Sequence, residues 1–196
     1  MKAILISVRP EWVAKILNGE KTIEIRKRFP KDYVGWVYIY VTKDNKNCLF
    51  DFREDEYAPD KFGYSKADKW YRQHYKLLNG KVVARFWCDK VEEINYLPYE
   101  QTYYTQTLDT VIWKGHEPTL LKVCCLSWEE LDNYLKEKKG YAIHITKLEI
   151  FDKPKEISEF EIRATEGDVK FNNIKGKMLA YKPLSRAPQS WCYIEV

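Results

Sequence analysis

The sequence predicts an α+β fold: a small, mostly antiparallel β-barrel decorated by helices. Three observations carry this reading. The apolar fraction is 45% of 196 residues, enough for one substantial hydrophobic core and barely enough chain for two domains. Several short segments alternate apolar and polar residues and are bounded by Gly, Pro or Asn, the pattern of half-buried strands. Helical patterns are few and do not alternate regularly with the strands, which argues against stacked βα units. Residues 1–196 are therefore read as a single domain, with insertions around 51–80 and 99–120.

In chain order, residues 3–9 place Ile4, Ile6 and Val8 on one face and Leu5, Ser7 and Arg9 on the other, a strand that ends at Pro10. Residues 10–17 read as a helix, with proline at its start, Val13, Ile16 and Leu17 at helical spacing, and Asn18-Gly19 as the stop. Residues 20–28 form the next expected strand. Ile23 and Ile25 point inward, while Thr22, Glu24, Arg26 and Arg28 share the opposite face. Residues 36–41 and 81–88 are further apolar strands. Between them lie an acidic loop, 51–60, and a helix expected over 65–78, with Ser65 and Asp68 as its cap. Residues 127–139 are the clearest helix, since Ser127 and Glu130 form a capping box, Leu131, Tyr134 and Leu135 make an apolar stripe, and Gly140 offers a stop. Strands over 141–151 and 191–196 complete the chain.

Composition excludes several classes. A mean hydropathy of -0.56 and the lack of any apolar run near about 20 residues exclude a membrane-spanning helix. The apolar run Ala3 to Val8 is too short for a secretory signal, so a cytoplasmic location is expected. The five cysteines, Cys48, Cys88, Cys124, Cys125 and Cys192, contain no CxxC pair, and His74, His116 and His144 are scattered. Reduced thiols are expected, with neither a metal site nor a cofactor. No GxGxxG, GxxxxGK[ST], HExxH or GxSxG motif is present, which removes the nucleotide-loop, zinc-protease and serine-hydrolase classes those motifs mark.

Charge is unevenly spread. The net charge is +4, yet residues 1–50 carry ten Lys or Arg against five Asp or Glu, and six of those ten fall between Lys15 and Lys31. Aromatic residues make up 15% of the chain. Cations at such density contact phosphates and aromatic rings stack on bases, although a charge run is also a common solvated surface and most rings serve the core. The face built by Thr22, Glu24, Arg26 and Arg28 is reached by Lys21, with Ser7 and Arg9 adjacent if the first two strands pair. It is either a set of exposed ion pairs or a binding site.

The stretch ISVRPEWVAKILNGEKTIEIRKRFP, with its strand, short helix and GEKTxExR turn into the second strand, resembles the ASCH domain. GYAIHITKLEIFDKP and QSWCYIEV look like the later strands of ASCH-type proteins of bacteria and their phages, so the likeness spans most of the chain. It implies a PUA-like fold, a twisted mixed β-barrel with flanking helices and an inserted helical segment, and RNA or other nucleic-acid binding in a cleft lined by the motif. The nucleic-acid-binding set expected on these combined grounds is Ser7, Arg9, Trp12, Lys21, Glu24, Arg26, Arg28, Lys147, Gln189 and Ser190, with Trp191 or Tyr193 as further stacking surfaces. His144 is read as a hydrogen-bonded core histidine.

One branch of the family hydrolyses N4-acetylcytidine with a lysine, a threonine and a glutamate. The lysine matches Lys21, but the position of the threonine holds Glu24, leaving Thr22 as a substitute hydroxyl. Other relatives are linked to RNA cleavage, for which Lys21, Glu24 and Thr22 are the catalytic candidates. A hydrolase acting on a modified nucleoside or RNA at the same cleft is thus the alternative to a binding module. Similar phage proteins carry extra cysteines in the segment matching 161–181, which this chain lacks, so any metal of those relatives is not expected here.

Overall fold

The computed structural model describes residues 2–66, 69–107, 119–164 and 181–196. The chain opens with strand β1 (Lys2–Val8), helix α1 (Pro10–Leu17), β2 (Ile23–Arg26), β3 (Gly35–Val41) and β4 (Asn47–Asp51). There follow β5 (Phe62–Lys66), α2 (Lys69–His74), β6 (Lys76–Leu77), β7 (Val82–Cys88), β8 (Val91–Leu97) and β9 (Thr102–Tyr104). The second half holds α3 (Thr119–Cys124), α4 (Trp128–Leu135), β10 (Gly140–His144), β11 (Thr146–Lys155), a 3-10 turn at Ile157–Glu159, β12 (Glu161–Arg163), β13 (Tyr181–Pro183) and β14 (Trp191–Glu195).

The α+β class holds, and the described strands pair as three sheets: β11-β7-β3-β1-β14-β12-β13, β2-β10-β8-β9 and β5-β4-β6. Among the described residues, β1 and β3 are the one pair that runs parallel. The two larger sheets share a corner, because β7 continues into β8 through Asp89 and Lys90 while its partner β11 follows β10 through Ile145. At that corner the His144 amide donates to the Lys90 carbonyl at 3.0 Å, so both strands turn together. The expected strand over 141–151 is therefore two strands lying in different sheets. Buried Glu92 fastens the same corner: it takes hydrogen bonds from Lys90 Nζ at 2.9 Å and Thr107 Oγ1 at 2.6 Å, and lies 2.8 Å from His144 Nε2. Burial alone would raise its carboxyl, yet hydrogen bonds from Thr107, Lys90, Thr105 and His144 bring it down to about 2.

Strand β1 alternates as expected, but both its faces are covered. Ile4, Ile6 and Val8 join the cluster under α1, with Val13, Ile16 and Leu17, while Ala3 and Leu5 pack with Tyr38, Tyr40, Phe160 and Leu184 on the other side. Helix α1 carries Pro10 in its first turn, and Gly19 takes the left-handed conformation, φ 81°, just beyond it. The Asn18 side chain is then clamped to the backbone of Phe62, donating to its carbonyl at 2.9 Å.

The helix expected over 65–78 shrinks to Lys69–His74. Ser65 is a strand residue opposite Cys48 in the β4–β5 ladder, not a cap, and Asp68 lies outside the described residues. Alternating Phe62, Tyr64 and Lys66 extend the strand where a helix start was expected. Helix α4 has the expected capping box, with Ser127 Oγ accepting from the Glu130 amide, but it stops at Leu135 because Lys136 turns left-handed, φ 56°. Gly140 opens β10 instead of ending the helix. A Cβ there would meet Leu135 Cδ2 at 2.7 Å and the Arg26 carbonyl at 3.3 Å, so glycine lets β10 lie against β2.

All five cysteines are free; Cys48, Cys88 and Cys192 lie in strands, whereas Cys124 ends α3 and Cys125 follows it. Burial pushes the Cys88 thiol up to about 12 and the Cys124 thiol up to about 11. No helix among the described residues is long and apolar enough to cross a membrane.

Candidate functional site

The site is built where the end of α1 hands the chain to β2. After Gly19 the chain wraps back, the amides of Glu20 and Lys21 both donating to the Lys15 carbonyl. This turns Lys21 inward beneath α3, and the Thr22 amide bonds the Val123 carbonyl at 2.9 Å. The strand expected over 20–28 is only Ile23–Arg26, and it is covered on both faces. Ile23 and Ile25 enter the cluster of Ile94, Tyr103, Leu120 and Leu131. Glu24 and Arg26 face the other way and are also buried, so the exposed ion pair is not what forms.

Lys21, Glu24 and Arg26 are 2%, 6% and 7% exposed. Lys21 Nζ donates to the Cys124 carbonyl at 2.6 Å and lies 3.5 Å from Glu24 Oε2. Arg26 Nη2 donates to Glu24 Oε1 at 3.0 Å and to the Ser7 carbonyl at 2.8 Å; Nη1 reaches the Ser190 carbonyl only at 3.5 Å. Arg26 Nε is buried and has no hydrogen-bond partner among the described residues. Two cations thus share one carboxylate, leaving one positive charge uncompensated within the cluster. Taking each ion out of water costs several kcal/mol even after relaxation, so such a cluster is a poor device for stability alone.

Aromatic rings flank it. The Trp12 ring lies 5.5 Å from Lys21 Nζ and 5.1 Å from Lys15 Nζ. Tyr134 of α4, partly exposed, carries Lys27 Nζ over its ring at 5.0 Å. Burial raises the Tyr134 hydroxyl, as does the Glu24 charge, against lowering by Arg26 and Arg9; those charged groups act on it because they surround it. Arg9 is exposed at the start of α1.

Of the expected set, Ser7, Lys21, Glu24, Arg26 and Ser190 come together, with Trp12 and Arg9 beside them. Ser7 and Ser190 enter through backbone carbonyls; the Ser7 hydroxyl is spent on the Pro188 carbonyl at 2.6 Å. Arg28 is exposed beyond the end of β2, where its carbonyl accepts from Trp191 Nε1 at 2.7 Å. Gln189 is exposed in a second depression with Arg186, Pro188 and Cys192. Lys147 is exposed on the outer strand β11, and among the described residues no hydrogen bond or ion pair ties it to the cluster. Thr22 is exposed, its carbonyl accepting from the Ile145 amide at 2.9 Å. Sequence reasoning missed Tyr134, whose place in the apolar stripe of α4 reads as core, and the Cys124 carbonyl, since α3 has no clear helical signal. Half-buried His144 pairs with Glu92 away from this site.

The arrangement of sheets and helices is similar to that in solved ASCH structures. A crystal structure of ASCH from Zymomonas mobilis superposes with a TM-score of 0.50 at 14% identity, covering 98% of this chain and 87% of that one. A tyrosine-to-phenylalanine variant of the same bacterium's ASCH protein also gives 0.50 at 14%, covering 100% of this chain and 91% of that one. No family model matches the sequence, and no curated protein does. At this identity the likeness establishes the fold.

Proposed function

We propose that this chain is a nucleic-acid-binding ASCH module, that its two larger sheets form the twisted barrel of PUA-like proteins, and that RNA is held at the Lys21–Glu24–Arg26 turn. The observation carrying this reading is a buried cluster with one positive charge in excess, with the Trp12 ring 5.5 Å from Lys21 Nζ and Tyr134 near enough to feel the charges of Glu24 and Arg26. Excess buried positive charge suits a phosphate, and the rings suit a base. The cluster supports binding better than hydrolysis. The Lys21 ammonium is engaged by the Cys124 carbonyl and Glu24, while the substitute hydroxyl, on Thr22, lies on an exposed residue outside the buried cluster.

Fluorescence anisotropy with a labelled single-stranded 12-nucleotide RNA tests it. Affinity should fall with salt by a log–log slope of about 0.7 per phosphate neutralised. Arg28→Ala should remove about one such neutralisation, and Tyr134→Ala should cost about 1–3 kcal/mol of binding through weakened stacking. Salt-independent binding, or a Tyr134→Ala variant that binds like the parent, contradicts the reading.

A further inference from the structure

Beside the cluster runs an open groove of about 710 Å³ that the motif does not account for. One wall is the loop after β2, with Lys27, Arg28, Phe29 and Pro30; the other is the turn after α4, with Lys136, Lys138 and Lys139; Tyr141 and Trp191 also line it. Five of its lining residues are cationic and none is acidic. Lysines that end a helix complement its dipole, which explains a basic turn after α4 but not the facing pair Lys27 and Arg28 on a different element. Lys139 is drawn aside to Glu93 at 3.5 Å. Arg28, Lys136 and Lys138 have no acidic partner within ion-pair distance among the described residues, and all three are exposed.

The aromatic side of the groove is fixed in place. Trp191 spends its indole N–H on the Arg28 carbonyl and packs against Phe29, ring centres 5.7 Å apart at 61°. The remaining exposed part of the ring is apolar surface beside cations. The groove also reaches Tyr134, because Lys27 both lines it and lies over the Tyr134 ring.

We propose that this groove is a second subsite, taking the phosphate backbone of a single-stranded nucleic acid next to the nucleotide held at the Lys21–Glu24–Arg26 turn. The occupant is a strand and not a lone nucleoside, since the cations come from two separated elements and lead away from the cluster. This rests on the nucleic-acid reading above and adds Lys136, Lys138 and Lys139 to it.

The test compares labelled single-stranded RNAs of 3 and 12 nucleotides on the parent and on Lys136→Ala/Lys138→Ala. Both positions are exposed, and a thermal melt matching the parent's verifies the fold. The 12-mer should bind the double variant at least tenfold more weakly, with its salt slope reduced by about 0.7 for each phosphate no longer neutralised, whereas the 3-mer should change less than twofold. If the parent binds the 12-mer and Tyr134→Ala weakens it, but the double variant matches the parent, the groove is overturned alone. If the parent binds neither RNA, both readings fall together. Binding of an oligo-aspartate as tightly as the 12-mer, abolished in the same double variant, would also overturn the assignment to nucleic acid.

Discussion

Glu24 stands between Lys21 and Arg26 in a cluster with no side chain more than a tenth exposed. Its removal leaves two buried cations facing each other with only carbonyls for company. Breaking a buried ion pair from one side costs about 3–5 kcal/mol, so Glu24→Gln should lower the melting temperature by roughly 6–20 °C. Thr22→Ala, at an exposed position nearby, should melt within a degree or two of the parent and serves as the control. A Glu24→Gln variant as stable as the parent would show that the cluster is not closed as described. The pairing was legible in sequence because Glu24 and Arg26 lie two residues apart on a strand, hence on one face. Their burial was not. A period-2 pattern of charges looks the same whether the second face meets water or, as here, the Ser7 and Ser190 carbonyls and α3.

Elements with strong local signals formed close to where they were expected, although α4 stopped at Leu135 and not at Gly140. Helix α1 has its proline and its Asn-Gly stop, β7 its apolar run, and α4 its capping box. Those that failed depend on distant partners. The 65–78 segment gave up a helical turn to pair with β4, and the 141–151 strand broke at Ile145 because its two halves belong to different sheets. The corner between those sheets predicts a pH dependence. Glu92 titrates near 2 in the fold against an ordinary value of 4.5. A depressed carboxyl contributes stability that is present above the unfolded value and lost as pH falls toward the folded one. The parent should therefore lose on the order of 3 kcal/mol from this group between about pH 5 and 2. Glu92→Gln should start less stable at pH 7 and show a flatter acid limb. Parallel stability curves for the two proteins would remove Glu92 from that role.

On the scale of the molecule, positive charge gathers from two parts of the chain. Residues 1–50 supply Arg9, Lys15, Lys21 and Arg26 through Arg28, an excess visible in the sequence. The turn after α4 supplies Lys136 and Lys138, whose approach to Arg28 follows from the pairing of β10 with β2 and could not be read from spacing. Tyr134 and Trp191 reach the same region from α4 and β14, although each also looks like a core residue in its own segment. We propose that this assembled face, and not the β5-β4-β6 sheet or the far strand β11, meets RNA. Amide and indole chemical-shift mapping by NMR, during titration with an unlabelled single-stranded 12-mer, tests it most directly. Shifts are expected at residues 7–12, 21–28, 134–141 and 190–191, including the indole signals of Trp12 and Trp191. Shifts confined to residues 47–66 or to β11, or no shifts at all at saturating RNA, would contradict it.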